Sequence, residues 1–190
     1  HIHQECEIYI NLSGDVSFMV EDRIYPIKRG SVIITRPYEY HHCIYHSDAL
    51  HEHFWILFSA KGNEALLDLF FNRKNGEDNL IILDDEKTDA LIELCHTMCI
   101  DNNDKIKDYY NFFSLLSLLK EGTTPELNNS NYSRDINTAL RFINNHFFEN
   151  ITVSQVANTS NMSVNTLERK FQKALNTRPY NYIREKRLAN

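Results

Sequence analysis

The sequence predicts an α+β chain, in which a small antiparallel β-barrel or sandwich precedes a helical pair and an all-α C-terminal unit. Residues 1 to about 59 consist of short runs rich in β-branched and aromatic residues, separated by close turns, a pattern typical of small all-β units. Helical periodicity of the apolar residues follows at about 84–120. A polar stretch rich in helix breakers, residues 122–133, is predicted to link these elements to a second helical region at 134–190.

The spacing of apolar residues predicts the individual elements. Runs of β-branched and aromatic residues predict strands at 7–11, 16–20, 31–35 and 53–58. Apolar residues that recur every three or four positions predict helices at 63–71, 84–100, 105–120 and 135–147. No apolar run approaches the roughly 20 residues that span a bilayer, so no membrane association is expected.

The region after residue 150 has the spacing of a helix-turn-helix. Thr152 and Ser163 each fit an N-cap, since a hydroxyl oxygen there accepts a hydrogen bond from an early backbone N–H. Ala157 supplies a small contact residue where the two helices cross. Asn161 stands where the turn needs a positive φ, which asparagine tolerates better than most residues.

The second helix of this unit, predicted at 164–175, has one apolar and one polar face. Its apolar face carries residues that recur every four positions: Leu167, Phe171 and Leu175. The opposite face is polar and partly basic: Asn165, Glu168, Arg169, Gln172 and Lys173. A helix with a packed back and such a front suits the DNA major groove, so double-stranded DNA is the expected partner.

Charge is distributed unevenly along the chain. The formal net charge is −6, yet residues 131–190 hold nine Lys/Arg against four Asp/Glu. An acidic first part and a basic last part indicate two functions in one chain, the second gaining affinity from phosphate contacts. A basic helical bundle that binds another protein is the alternative.

The four cysteines form no recognisable disulfide framework, which is typical of reduced thiols in a cytoplasmic protein. Cys95 and Cys99 lie four residues apart on a predicted helix, with His96 between them. A zinc site there would lack a second pair of ligands, so we interpret both as thiols of a helical core.

A second group of polar side chains lies in the predicted strands. Period-two alternation places His1 and His3 on one face, and Glu7 rejoins that face if the strand bends. His41 comes from a later strand, after Pro37 and Glu39. Two imidazoles, a carboxylate and a third imidazole form either a divalent metal site or a polar floor for a small ligand. We favour the floor and expect no cofactor, with a metal at His1, His3, Glu7 and His41 as the alternative.

These motifs together resemble a known family. The spacing of His1, His3, Glu7, two glycines, Pro37 and His41 is similar to that of a cupin barrel. Joined to the helical residues Ala157, Met162, Ser163, Leu167, Phe171, Pro179, Tyr182, Arg187 and Leu188, it resembles the AraC/XylS transcriptional regulators over nearly the whole chain. The resemblance implies three parts: a sensing and dimerisation domain at 1–121 (barrel about 1–59, helices about 84–120), a linker at 122–133, and a partial DNA-binding domain at 134–190.

The resemblance also assigns residues. It implies base contacts from Asn165, Glu168 and Arg169, with phosphate contacts from Lys173 and Arg178. Asn176 stands where the family usually has glycine, a substitution that asparagine's tolerance of the left-handed cap makes mild. The family's DNA-binding domain has two helix-turn-helix units joined by a long helix, so the chain to Asn190 is expected to be a fragment that ends inside that helix.

Three classes of function remain open. The first is a ligand-responsive transcription regulator, not an enzyme, whose effector lies among His1, His3, Glu7, Tyr9, Phe18, His41 and Trp55. A sugar is one candidate effector, since Tyr9, Phe18 and Trp55 are able to stack on a sugar ring. The apolar residues of 84–120, Phe112, Phe113, Leu116 and Leu119 among them, are expected to pack partly on the barrel and partly on a second copy. The alternatives are a metal-dependent cupin enzyme with an accessory helical tail, and a protein-interaction module that uses these helices.

Overall fold

The computed structural model describes residues 3–21, 23–100, 104–125 and 133–188. In these ranges the strands are β1 (Cys6–Ser13), β2 (Val16–Val20), β3 (Arg23–Pro26), β4 (Val32–Thr35), β5 (His41–Tyr45), β6 (Glu52–Phe58) and β7 (Leu80–Ile81). A 3₁₀ turn (Glu64–Leu66) precedes the helices α1 (Asp68–Phe71), α2 (Asp85–Met98), α3 (Lys105–Lys120), α4 (Arg134–His146), α5 (Val153–Thr159), α6 (Val164–Leu175) and α7 (Pro179–Leu188). None of the helices described has the length and apolar character that a membrane crossing requires.

The strands form two antiparallel sheets, with orders β6-β1-β4-β7 and β3-β2-β5. The predicted α+β class is therefore confirmed, but the described strands do not close into a barrel. The two sheets face each other, and residues from one face of each sheet meet in a shared apolar cluster. Alternate side chains of each strand point away from that cluster. Strand β7 extends the first sheet beyond residue 59, where the sequence predicted the strands to end.

Three apolar clusters hold these layers together. Between the two sheets lie Tyr9, Phe18 and Tyr25, with further buried residues of both sheets. The other face of β1, including Ile8 and Ile10, packs on α2 and α3, which explains why β1 is buried on both faces. A third cluster joins α4–α7 to the outer face of the three-stranded sheet. All four cysteines are free thiols; Cys95 is buried in the helical core as predicted, whereas Cys99 is exposed, so its assignment to that core is wrong.

The helix α3 begins and ends where the periodicity placed it. Leu116 and Leu119 are 6% and 1% exposed and belong to the core beneath the four-stranded sheet. Of the four apolar residues expected to pack partly on the sheet region and partly on a second copy, these two leucines therefore lie on the side of the sheet. Helix α3 is apolar on several sides, so periodicity alone does not identify the face that packs on the sheet. Its large exposed apolar side chains are Ile106, Tyr109, Tyr110 and Phe113.

The helices α5 and α6 are joined by a short turn with the predicted chemistry. Thr152 caps α5, its side chain accepting from the Gln155 N–H, and a reciprocal bond from Gln155 completes a capping box. Asn161 takes a φ of 54° in the turn, and Ser163 caps α6 by accepting from the Thr166 N–H. Asn176 then ends α6 in the left-handed conformation, as expected of the residue in the usual glycine position.

Candidate functional site

The candidate site lies between the two facing sheets, in a region called the cleft below. Its walls are the inward-facing residues of β1, β4 and β6 on one side and of β2 and β5 on the other. Tyr9 packs between the sheets, and Glu7 and Asn11 lie two residues to either side of it on the same face of β1. Their neighbours on that face are Thr35, opposite Glu7, and Trp55, opposite Tyr9. From the facing sheet, Phe18 and His41 point into the same space: the Phe18 ring stacks 4.6 Å from that of Tyr9 and 6.1 Å from that of His41.

Three of the four predicted metal or ligand residues meet at one end of this cleft. The Glu7 Oε2 atom lies 3.1 Å from His3 Nε2 and 3.3 Å from His41 Nε2. The ring centroids of the two histidines are 4.9 Å apart, edge to face. Glu7 and His41 are buried and His3 is half-buried. The fourth predicted residue, His1, lies outside the described residues.

The other ring nitrogens determine how these three groups interact. His41 Nδ1 donates to the Glu39 carbonyl at 2.7 Å, and His3 Nδ1 donates to the Glu5 carbonyl at 3.1 Å. A carbonyl oxygen only accepts, so Nδ1 of each ring carries a proton. Each Nε2 lies within hydrogen-bond distance of Glu7 Oε2, and a ring protonated at both nitrogens would donate to that carboxylate. With neutral rings, the two Nε2 atoms and the carboxylate would instead accept together from a metal ion or from a hydrogen-bond donor of a ligand.

The donor set fits a divalent metal. The ligand atoms of His3, Glu7 and His41 all lie within 4.8 Å of one another. Two imidazoles and one carboxylate are a common ligand set for non-haem iron, and three protein ligands with an open position are typical of catalytic zinc. Backbone carbonyls that fix both histidine tautomers are the outer-shell partners that such ligands use.

The loop before β5 is fixed by a buried carboxylate, Glu39. Its oxygens accept from Arg73 at 2.5 and 2.8 Å, from the Gly76 N–H at 2.8 Å and from the Arg36 N–H at 3.0 Å. Burial raises the pKa of Glu39, but the Arg73 charge and these hydrogen bonds outweigh burial and hold it below its ordinary value. The network positions the Glu39 carbonyl, which in turn orients the His41 ring.

The opposite end of the cleft is aromatic and polar. The Tyr9 hydroxyl lies 2.6 Å from His51 Nε2 and donates to Asn11 Oδ1 at 3.0 Å. The rings of His51 and His53 stack with centroids 4.7 Å apart. Burial raises the pKa of Tyr9, whereas burial followed by the nearby His53 lowers the pKa of His51. The pairing of His53 with Asn11 places His53 on the cleft face of β6.

Two buried polar atoms on the cleft face have no hydrogen-bond partner among the described residues. They are Asn11 Nδ2 and Thr35 Oγ1, in residues that are 0% and 1% exposed. Buried polar groups are nearly always hydrogen-bonded in folded proteins, so such atoms call for a ligand or water. Trp55 shares the face of Tyr9 but is 59% exposed, at the open edge formed by β6.

The family comparison agrees with this geometry. The model of the AraC-like ligand-binding domain matches residues 1–108, more than half of the 190 residues. The chain belongs to this family. The resemblance inferred from the sequence is thus confirmed, and the cleft lies inside the matched range of this AraC-like chain. No curated protein sequence matches it.

The comparison with solved structures found weak matches to two proteins. The AraC-like transcriptional activator CuxR is 13% identical over 98% of this chain and 66% of its own, with a TM-score of 0.45. Apo ToxT K231A from Vibrio cholerae is 13% identical over 96% of this chain and 89% of its own, with a TM-score of 0.43. The 1.65 Å structure of ToxT from Vibrio cholerae is 14% identical over 96% and 90%, with a TM-score of 0.39. We take the family from the sequence match alone.

The residues predicted to contact DNA lie together on the exposed side of the AraC-like chain's last helices. Along α6 the exposed positions include Asn165, Glu168, Arg169 and Lys173, and Arg178 is exposed just before α7. Three other cations of this region are engaged internally. Lys170 pairs with the Asp135 carboxylate, Arg187 donates to the carbonyls of Phe147 and Glu149, and Lys186 is buried.

A separate apolar groove lies between α3 and the outer edge of β6. It has a volume of about 690 Å³. Its lining includes Leu57, Leu66, Met98, Tyr109, Phe112 and Phe113. Tyr109 and Phe113 are exposed beside it.

Proposed function

We propose that this AraC-like chain is a transcription regulator that binds a small molecule in the cleft between its sheets and DNA through α5 and α6. The convergence of His3, Glu7 and His41 in the cleft of a ligand-binding domain carries the proposal. The cleft's polar end supplies recognition, and its aromatic side chains supply the apolar wall that small-molecule sites usually have.

The effector is proposed to be a polar molecule with several hydroxyl groups, such as a sugar. Hydroxyls donate and accept, so they match the polar cluster of His3, Glu7 and His41 as well as the unpartnered Asn11 Nδ2 and Thr35 Oγ1. A sugar ring also presents an apolar face, against which Tyr9, Phe18 and Trp55 would pack.

Calorimetric titration with a panel of neutral monosaccharides and their deoxy analogues tests this assignment. A matching sugar is expected to bind the unmodified chain, and Glu7→Gln and Asn11→Ala are expected to weaken it. The matched control is Glu77→Gln, since that carboxylate pairs with Arg23 at a half-exposed position outside the cleft. Equal weakening by the control, or no binding by any sugar, would reject a sugar effector.

DNA binding is proposed for the exposed face of α6, with Asn165, Glu168 and Arg169 at base edges and Lys173 and Arg178 at phosphates. The measurement is fluorescence anisotropy of duplex DNA at several salt concentrations. Each phosphate contact adds about 0.9 to the slope of log K against log salt, so loss of Lys173 is expected to lower that slope. A salt-independent affinity would contradict the proposed contacts.

A homodimer is proposed through the exposed face of α3. Burying Ile106, Tyr109, Tyr110 and Phe113 removes apolar area from water at roughly 25 cal/mol per Å², and these side chains are more than two-fifths exposed in one copy. Sedimentation at micromolar concentration is the direct test, and a monomer at all concentrations would reject this interface.

A metal-dependent cupin activity is the second candidate, and the convergence of two imidazoles and a carboxylate at His3, Glu7 and His41 favours it. A bound divalent ion would act as a Lewis acid toward an oxygen ligand at its open position. Elemental analysis of chain purified without chelator or affinity tag separates the two candidates. Stoichiometric metal that is lost in His3→Ala and His41→Ala would favour the metal centre, whereas a metal-free chain that binds its effector would favour the polar floor.

A further inference from the structure

Lys186 of α7 is a buried lysine at the contact between the helices and the sheets. It is only 3% exposed, a rare environment for a lysine without partners. Its Nζ donates to Glu21 Oε2 at 3.0 Å and to Asn144 Oδ1 at 2.5 Å. The same ammonium lies 5.1 Å from the ring centroid of Tyr40 and 5.5 Å from that of Phe147, distances typical of cation–π contacts. The ammonium therefore has hydrogen-bond and cation–π partners on both the sheet side and the helical side of the contact.

Glu21 supplies the sheet's part of this contact. It lies between β2 and β3 with a φ of 52°. Its Oε1 accepts from the Tyr40 N–H at 2.8 Å, and its own N–H donates to the Tyr40 carbonyl at 2.8 Å. These bonds continue the β2–β5 ladder directly after the pair formed by Val20 and His41. The carboxylate that binds Lys186 is thus held at the beginning of the strand that carries His41.

Tyr40 and His41 connect the contact with the cleft because successive side chains point to opposite faces of a strand. His41 points inward, where its Nε2 meets Glu7. Tyr40 points outward, where its ring meets Lys186 and stands edge-on to Tyr182 of α7 at 5.6 Å. A ligand that displaces the His41 backbone therefore also displaces the surface on which α7 rests.

The charge of Lys186 makes this docking reversible. The sheet contributes only Met19, Ile24, Tyr40 and Ile44 to the apolar cluster that it shares with α4–α7. A buried ion pair gains attraction but loses hydration, and both ions recover their water when the surfaces separate. An apolar residue at position 186 would hold the surfaces together whatever the state of the cleft. A paired charge instead opposes separation less, because both ions are rehydrated when the surfaces part.

We propose that Glu21 and Lys186 form a latch that couples occupation of the cleft to docking of α4–α7 on the sheet. The proposal rests on the proposed function for the position of the effector in the cleft. It adds the route by which binding there reaches the helices that carry the DNA-contact residues. Ligand binding that shifts His41 changes the position of Tyr40 and Glu21, and thereby opens or tightens the site of the Lys186 ammonium.

A double-mutant cycle tests the latch without any ligand. The variants of the full chain are Glu21→Gln, Lys186→Met and their combination, with hydrogen–deuterium exchange followed at residues 39–45 and 179–188. Each single change leaves one buried ion unpaired, so exchange in both segments is expected to accelerate by about tenfold or more. The double variant has no unpaired ion, and the amide introduced by Glu21→Gln retains an acceptor for the Tyr40 N–H, so near-normal exchange is expected.

The matched control is Lys120→Met, which removes the ammonium of the half-exposed Lys120–Asp68 pair, 2.7 Å apart. It is expected to leave exchange at 179–188 unchanged. Single variants that exchange like the unmodified chain, or a double variant that exchanges as fast as the singles, would overturn the latch.

The coupling is tested with zinc ion as the probe, because His3, Glu7 and His41 present a zinc-type ligand set. Zinc binding is expected to change exchange at 179–188 by about fivefold or more in the unmodified chain and not in the double variant. Bound zinc without that change overturns the coupling. If zinc does not bind, Glu7→Gln and His41→Ala take its place as the perturbation of the cleft. Each is expected to alter exchange at 179–188 in the otherwise unmodified chain and not in the Glu21→Gln, Lys186→Met double variant. If neither alters it, the coupling is overturned.

These readouts do not involve DNA, so the two proposals fail separately. Exchange coupling in a chain that does not bind DNA would contradict the proposed function alone. DNA binding that responds to an effector without coupled exchange at 179–188 would contradict the latch alone.

Discussion

Arg73 and Glu39 form a bidentate ion pair in the interior of the sheet region, with N···O distances of 2.5 and 2.8 Å. The Glu39 side chain is 0% exposed and that of Arg73 is 5% exposed. The pair ties the loop after α1 to the segment before β5, and Gly76 and Asn79 add further donors to the same carboxylate. Because the Glu39 carbonyl receives the His41 Nδ1–H, this pair also holds one side of the candidate site.

The substitution Glu39→Gln is expected to destabilise the fold strongly. It leaves the buried Arg73 guanidinium without its anion, and breaking a buried pair by removing one partner costs about 3–5 kcal/mol. Urea unfolding followed by circular dichroism measures the change in the free energy of unfolding. Glu77→Gln serves as the control, since its pair with Arg23 is half-exposed and such pairs contribute about 0–1 kcal/mol. Equal losses in both variants would contradict a special contribution from burial.

The same pair predicts a pH dependence of stability. The pKa of Glu39 is held below its ordinary value of 4.5 in the folded chain, so the unfolded chain takes up the proton first as the pH falls. The contribution of Glu39 is therefore fully present above pH 4.5 and is lost as the pH falls through its lower folded pKa. The stability difference between the unmodified chain and Glu39→Gln is expected to shrink in acid. A difference that stays constant from neutral pH into strong acid would contradict this linkage.

The sequence revealed contacts between residues that are close along the chain and missed contacts between residues that are distant along it. His3 and Glu7 are four residues apart, and their pairing followed from strand alternation plus a bend. Arg73 lies 34 residues from its partner Glu39, and no local pattern marks it. The strand that carries His41 was expected without bounds, because the sequence HHCIY has no clear alternation, and β7 was missed because it has only two residues. Their pairing depends on neighbours that are distant in sequence.

The helices were easier to predict because their signals are local. N-caps at Thr152 and Ser163 and a four-residue apolar spacing define α5 and α6 within a few turns of chain. The face of α3 was harder, since Leu116 and Phe113 are both apolar and only the sheet decides which of them is buried. The buried face of α6 could be predicted because the opposite face is polar, whereas α3 is apolar on several sides and gives no such indication.

Arg169 is expected to contribute base recognition. Its side chain is exposed on α6, and a bidentate arginine–guanine contact is worth about 1–3 kcal/mol of discrimination. Arg169→Ala is therefore expected to weaken binding to a selected DNA site and to relax preference at one base pair. Arg29→Ala removes the same charge from an exposed pair with Asp89 on the sheet region and is expected to change neither. Equal effects from the two variants would indicate a nonspecific charge effect and remove Arg169 from the proposed base contacts.

The exposed and buried faces of α3 are expected to respond differently to substitution. Phe113→Glu places a charge on the exposed face and is expected to shift a dimer toward monomer in sedimentation, with little change in monomer stability. Leu116→Ala removes a core side chain and is expected to cost about 2–5 kcal/mol of folding free energy. If Leu116→Ala dissociated a dimer while Phe113→Glu did not, the contact would involve the other face of α3.

The Thr35 hydroxyl is expected to lower the stability of the effector-free chain and to contribute to effector binding. Its Oγ1 is buried on the cleft face, opposite Glu7 in the β1–β4 register, without a partner among the described residues. A buried hydroxyl without a hydrogen bond costs about 1–3 kcal/mol in lost hydration, so Thr35→Val is expected to raise thermal stability while weakening effector binding.

Ser17→Ala is the control, because Ser17 Oγ is already bonded to His46 Nε2 at 2.9 Å. Loss of that hydroxyl is expected to lower stability and to leave binding unchanged. Differential scanning calorimetry and a sugar titration on both variants give the two readouts. A Thr35→Val variant that is less stable than the unmodified chain would mean that the hydroxyl is already satisfied, and Thr35 would then lose its place among the effector contacts.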